Sequence, residues 1–184
     1  MGLSFTDILL LLPSFCCCSS FRNWVFREAL KVPPPGTQSQ PLPQPDLSSK
    51  KPPPPPPASS PTSRIHTRNL RQSAETLFRV SALTFNSHKI HYSLPWALDV
   101  EGHRGLVVHG PLNLVSILDF WRDTRKEEGG DPEHFVPESI SYRATNPLYA
   151  DEEYQIVLES EGQHTKADIY NVDGVVSMKA EILG

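Results

Sequence analysis

The sequence predicts an α+β fold in which an antiparallel sheet wraps around one long central helix. "HGPLNLVSILDFWRDTRKE", residues 109–127, reads as a helix that is apolar over most of its circumference, and such a helix has to be enclosed by protein. Four strand-like runs follow it: "ESISYRAT", "EYQIVLESE", "HTKADIYNV" and "VVSMKAEIL". "EGQ" and "VDG" separate the last three at hairpin distances. A sheet curled around the helix buries the apolar surface of both.

Ahead of that helix, residues 64–72, "RIHTRNLRQ", alternate loosely between polar and apolar and predict a first strand. "SAETLFRVSALTF" then predicts a helix, with Ser73 as its cap and Leu77, Phe78, Val80 and Leu83 near helical spacing. "NSHKIHY" is expected to form a loop or irregular turn. In the long helix, Pro111 occupies a first-turn position where its missing N–H would have no partner anyway. Leu112, Leu114, Val115, Ile117, Leu118, Phe120 and Trp121 leave a thin polar stripe of Asn113, Ser116 and Asp119. The charges, glycines and proline of "KEEGGDPE" end it.

The chain divides by composition. Fourteen of its nineteen prolines fall in residues 1–63, including "PPPGTQSQPLPQP" and "KKPPPPPPASSPTS". Such a tract cannot bury enough apolar surface to offset its ordering entropy. Residues 33–63 are therefore expected to be a proline-rich disordered linker, residues 1–32 a leader, and residues 64–184 the folded domain. Within that domain twelve Lys/Arg face eighteen Asp/Glu, a net charge of −6 with neutral histidines. Phosphate contacts need concentrated Lys/Arg, so nucleic acid is excluded as a partner.

The three cysteines, Cys16, Cys17 and Cys18, are adjacent and lie outside the expected domain. A disulfide framework, a zinc–cysteine site and a cysteine nucleophile are thereby excluded there. Palmitoylation is one reading of the cluster, and an unselected run in a removable leader is the plainer one. "DILLLLPSFCCC" is short of the roughly 20 apolar residues that span a bilayer, so no stable membrane insertion is expected. As a secretory signal it lacks a basic first segment and carries Asp7. "SSFRNWVFREALKV" resembles a basic amphipathic presequence of mitochondrial type, although Glu28 runs against that pattern. The expected location is mitochondrial.

The histidines carry the functional signal. "FRVSALTFNSHKIHY" holds Asn86, His88 and His91, and "EGHRGLVVHGPL" sets His109 directly before Gly110 and Pro111. Together these stretches resemble the MaoC-like hot-dog hydratases and dehydratases. Within that family they are most similar to the branch of mitochondrial hydroxyacyl-thioester dehydratases of type 2 and mesaconyl-CoA hydratase-like proteins. The resemblance covers about residues 64–184. Many eukaryotic relatives carry a further hot-dog-like half ahead of this one, where this sequence has the proline-rich arm.

The resemblance implies a hot-dog fold and the reversible removal of water from an R-3-hydroxyacyl thioester to give the trans-2-enoyl thioester. It needs no metal or redox cofactor. It also implies an acyl-CoA or acyl-carrier-protein thioester as substrate, and a homodimer. His91 matches the family's catalytic histidine and is the expected base. Where the wider family commonly has Asp five residues earlier, this chain has Asn86. An amide cannot accept a proton, so Asn86 is left to hold the water. Gly110, at the start of the long helix, supplies its N–H to the oxygen of the developing enolate. His88 and His109 are secondary candidates.

Each residue also fits a plainer role. His91 could be a partly buried histidine bonded to a backbone carbonyl, His88 an exposed side chain and His109 a packing residue. Asn86 could stabilise a turn. Two rival functions stay open beside the hydro-lyase. One is a hot-dog thioesterase, which needs a carboxylate to activate water; Asp99 and Glu101 are near in sequence. The other is a degenerate hot-dog protein kept for binding.

Overall fold

The computed structural model describes residues 61–127, 129 and 136–184, and the backbone of two two-residue strands, β1 (Phe5–Thr6) and β2 (Asn23–Trp24), which pair antiparallel. The readings made for the rest of the leader and nearly all of the linker lie outside the described residues.

The main sheet has five antiparallel strands in the order β3-β5-β6-β7-β4. β3 (Arg64–Arg71) is the expected first strand, paired with β5 from Arg64↔Ser160 to Arg71↔Glu153. β5 (Glu153–Glu161), β6 (His164–Tyr170) and β7 (Val176–Leu183) form a meander, and β4 (Ser139–Ala144) pairs with the outer side of β7. The β6–β7 turn is held by Asn171, whose Oδ1 accepts the backbone N–H of Asp173 and Val175. Gly174 there adopts φ 75°, a conformation open to glycine and strained for other residues.

α1 (Ala74–Leu83) begins where expected: the Ser73 side chain accepts the Thr76 N–H at 3.3 Å. It ends in a left-handed reversal. The Asn86 N–H returns to the Ser81 carbonyl and the Phe85 N–H to the Ala82 carbonyl, a Schellman arrangement that usually places glycine at the left-handed position. Here that position is Phe85, at φ 53°.

The histidine stretch is more ordered than a loop. Lys89–His91 form a single 3-10 turn, followed by a six-residue helix, α2 (Leu94–Asp99), with Pro95 in its first turn. The sequence offered no periodic signal for a helix so short.

α3 (Gly110–Glu127) is the long central helix. Ile117, Phe120 and Trp121 pack into a core with Tyr154, Ile156 and Leu158 of β5, Ala167 and Ile169 of β6, and Met178, Ala180 and Ile182 of β7. The polar stripe expected along this helix is misplaced. Asn113 is buried, whereas Val115 is 61% exposed. One sheet covers one face of a helix, and at 3.6 residues per turn that face is Asn113, Ile117, Phe120, Trp121 and Thr124. Pro111, Val115, Asp119 and Arg122 form the opposite, solvent-facing line. The helix is therefore not surrounded on all sides within one chain.

Residues 106–108, just before α3, tie the layers together. The Val107 N–H donates to the Ile90 carbonyl, the Val108 N–H to Leu148 and the Ala150 N–H to Leu106. This short bridge delivers the start of α3 to the 3-10 turn.

Candidate active site

Three imidazoles line up at that junction. His91, on the 3-10 turn, lies with its ring stacked on His109, centroids 3.7 Å apart and planes at 18°. His88 meets His91 edge-on at 5.7 Å. His91 and His109 are buried, and His88 is half-exposed.

His91 Nδ1 lies 2.7 Å from the Val107 carbonyl oxygen. A carbonyl can only accept, so Nδ1 carries the proton and Nε2 of the neutral ring keeps its lone pair. Burial lowers the pKa of His91 from its ordinary value, helped by the nearby His88 and His103; the Val107 carbonyl and Glu101 pull the other way without winning. The plainer role weighed for His91, bonded to a backbone carbonyl, is thus present in the geometry, and the second nitrogen makes no hydrogen bond among the described residues.

His109 Nε2 lies 2.9 Å from the hydroxyl of Ser81, a buried contact between the end of α1 and the start of α3. Burial, and secondarily the charge of a protonated His91, lower its pKa to about 4. Ser81 also accepts the Asn86 N–H on its backbone carbonyl. One residue therefore anchors both the Asn86 turn and the His109 ring.

Asn86 Oδ1 accepts the His88 N–H at 3.0 Å, closing a turn of the kind asparagine favours. Gly110 opens α3. A Cβ placed on it would meet nothing within 4 Å, and its N–H is among the first-turn donors a helix leaves without an internal acceptor. The structure thus gathers Asn86, His88, His91, His109 and Gly110 in one region. Among the described residues, no group of three or more His, Cys, Asp or Glu side chains is arranged to hold a metal ion.

Two participants in this region lie outside the site expected for the hydro-lyase: Ser81, which the sequence did not single out, and Glu101, which entered only as a carboxylate near the motif for the thioesterase reading. Glu101 Oε1 sits 2.8 Å from His88 Nε2 and also accepts the indole N–H of Trp96 at 3.0 Å. Burial pushes the Glu101 carboxyl up, but the Trp96 and His88 hydrogen bonds and the histidine charges outweigh it and hold the pKa below its ordinary value. Glu101 is thirteen residues from His88 and Ser81 twenty-eight from His109, distances that only the tertiary fold closes.

A family profile, hydroxyacyl-thioester dehydratase type 2, matches residues 21–150. The chain belongs to this family. The match takes in both histidine motifs and stops before β5, but it begins at residue 21, within the expected leader and ahead of the stretch where the resemblance was expected. Mesaconyl-C(4)-CoA hydratase of Chloroflexus aurantiacus is 33% identical over 119 residues, 63% of this chain and 39% of that protein. The mitochondrial hydroxyacyl-thioester dehydratase type 2 of Schizosaccharomyces pombe is 29% identical over 86 residues, 47% of this chain and 27% of its own length. This member of the dehydratase family thus spans well under half the length of the two curated relatives.

Solved structures agree on the fold. The (R)-hydratase from A. caviae involved in PHA biosynthesis superposes with a TM-score of 0.54 at 18% identity, over 67% of this chain and 95% of that one. The HadBC (3R)-hydroxyacyl-ACP dehydratase complex of Mycobacterium tuberculosis gives 0.52 at 18% identity, over 68% and 97%. The expected hot-dog architecture is the one found: five antiparallel strands curved over a central helix.

Proposed function

We propose that this chain is a hydro-lyase interconverting R-3-hydroxyacyl and trans-2-enoyl thioesters, with residues 64–184 as its working domain. One observation carries the assignment of its base. With His91 Nδ1 committed to the Val107 carbonyl, Nε2 is a fixed lone pair on a ring that burial keeps neutral, beside the residue that precedes α3.

In the dehydration direction His91 Nε2 takes the proton α to the thioester carbonyl. The negative charge that develops on the carbonyl oxygen is met by the Gly110 N–H at the positive end of α3. The C3–O bond then breaks, and the hydroxyl departs as water once it has received a proton. Asn86 holds that water through its amide, while its Oδ1 shapes the turn beneath His88. His109 holds the His91 ring in plane, itself held by Ser81. Hydration is the reverse.

The substrate class, an acyl-CoA or acyl-carrier-protein thioester, follows from this chemistry and from the family. A homodimer is supported by the exposed line of α3 around Val115 and by the position of β3 and β4 at the two ends of the main sheet among the described residues. A mitochondrial location is supported by the basic stretch around Arg22, Arg27 and Lys31 and by the name of the S. pombe relative. Among the described residues no helix is long and apolar enough to cross a membrane.

The Glu101 carboxylate gives the thioesterase reading its one specific observation, since thioester hydrolysis needs a group that activates water. A single assay separates the two. The full chain is mixed with crotonyl-CoA and, separately, with 3-hydroxybutyryl-CoA. Loss and gain of enoyl absorbance without free thiol is the hydro-lyase result, whereas free thiol is the thioesterase result.

A further inference from the structure

We propose that Glu101 and His88 form a carboxylate–imidazole pair that handles the second proton of the reaction: His88 protonates the leaving hydroxyl, and Glu101 positions His88 to do so. This rests on the hydro-lyase reading and deepens it. The motif lacks an acid beside His91, and the fold supplies one from the far end of α2.

The pair is built rather than incidental. Glu101 Oε1 receives two donors from different places, the Trp96 indole N–H at 3.0 Å and His88 Nε2 at 2.8 Å. The Glu101 backbone N–H also returns to the Trp96 carbonyl, so the carboxylate is fixed at both ends. Trp96 is held in turn by the Lys89 ammonium, 4.5 Å from its ring centroid. His88 is fixed likewise, by its backbone N–H on Asn86 Oδ1 and its ring on Glu101. Two rigid groups at hydrogen-bond distance lose little freedom on meeting, unlike an ordinary exposed ion pair.

The environments of the two imidazoles differ in the way an acid and a base require. His91 is enclosed against a carbonyl and a second imidazole. His88 is half-exposed and faces a carboxylate, and a carboxylate accepts from an imidazolium more strongly than from a neutral ring. The charged and titratable groups around the pair are Lys89 and His91 on the same turn, His103 beyond α2, and His109 before α3.

The protons balance. In dehydration the α-proton passes to His91 Nε2 and the C–H electron pair becomes the new C=C bond. The C3–O pair leaves with the oxygen, which takes the proton of His88 and departs as water. His91 has then gained the proton that His88 lost, and transfer between the adjacent rings restores both. No oxidant, reductant or metal enters.

The test compares the full-length wild type with Glu101→Gln, Glu101→Asp and His88→Gln. kcat and KM for dehydration of (R)-3-hydroxybutyryl-CoA are measured across pH, and the imidazole nitrogen resonances of His88 are followed by NMR. Glu101→Gln is expected to lower kcat by on the order of 10²-fold with KM little changed. It should also change the pH profile of the rate and the His88 ring resonances, both of which a merely structural loss leaves in place. Glu101→Asp should recover part of the rate, and His88→Gln, at a half-exposed position that the fold tolerates, should lose as much as Glu101→Gln. A wild type that turns over while Glu101→Gln and His88→Gln match it in kcat and pH profile overturns the pair alone. A wild type inert toward (R)-3-hydroxybutyryl-CoA, and toward crotonyl-CoA in the reverse direction, overturns the hydro-lyase reading and the role of the pair with it. Thiol release that depends on Glu101 overturns both in favour of hydrolysis.

Discussion

The rings of His91 and His109 lie face to face, 3.7 Å between centroids, and two imidazoles at that distance cannot share a buried site as two cations. Burial lowers both pKa values, that of His109 to about 4, against about 6.5 in an unfolded chain. Because the folded values are depressed, the stability due to the neutral pair is full above about pH 6.5. It is lost as pH falls from there toward the folded value of His109, about 4. Denaturant midpoints measured from pH 7 to pH 4 should decline, and the decline should be shallower in His109→Gln. The same depression predicts that the acidic limb of the dehydration rate lies below pH 6.5, since His91 stays neutral there.

Ser81 should prove more important than an ordinary helix serine. Ser81→Ala removes the hydroxyl 2.9 Å from His109 Nε2 and leaves a buried ring nitrogen without its partner, at a cost of about 1–3 kcal/mol. Denaturant unfolding should show that loss. A fall in kcat should accompany it, because the His109 ring that supports His91 is no longer held.

Gly110→Ala separates folding from catalysis. A methyl there meets nothing within 4 Å, so the melting temperature should stay at the wild-type value. If the thioester approaches the backbone at Gly110 as proposed, the same methyl obstructs it, and kcat/KM should fall by about 10²-fold. Full activity in a stably folded variant would remove Gly110 from the site.

Phe85 holds a left-handed position at φ 53° with its ring 95% exposed. Glycine fits that position without the steric cost of a Cβ. Phe85→Gly should therefore raise stability by about 1 kcal/mol, read as a higher denaturant midpoint. A lower midpoint at any protein concentration would show that the exposed ring is packed in the native assembly.

Much of the fold was legible because its signals are local. Strand-like runs separated by the hairpin-length "EGQ" and "VDG" marked β5, β6 and β7, the Ser73 cap marked α1, and the Gly110–Pro111 start marked α3. The direction in which α3 faces was not legible. Val115 and Asn113 exchange their expected places because hydropathy records what a side chain prefers, whereas one sheet can cover only one stripe. In the site, Asn86, His88, His91 and Gly110 stand in two contiguous motifs and were named through the family resemblance those motifs carry. Glu101 and Ser81 could not be assigned, since each meets its histidine only after α1, α2 and α3 have packed. The charge pattern did contain a hint: Glu101 opens the second motif, immediately beyond α2.

If the Nε2 of His91 takes the α-proton, as proposed, His91→Gln removes the base itself. Crotonyl-CoA hydration is followed by loss of enoyl absorbance, with circular dichroism confirming that the full chain is folded. The expected result is a drop in kcat of at least about 10²-fold with little change in KM. A folded His91→Gln protein that hydrates crotonyl-CoA at the wild-type rate would contradict it.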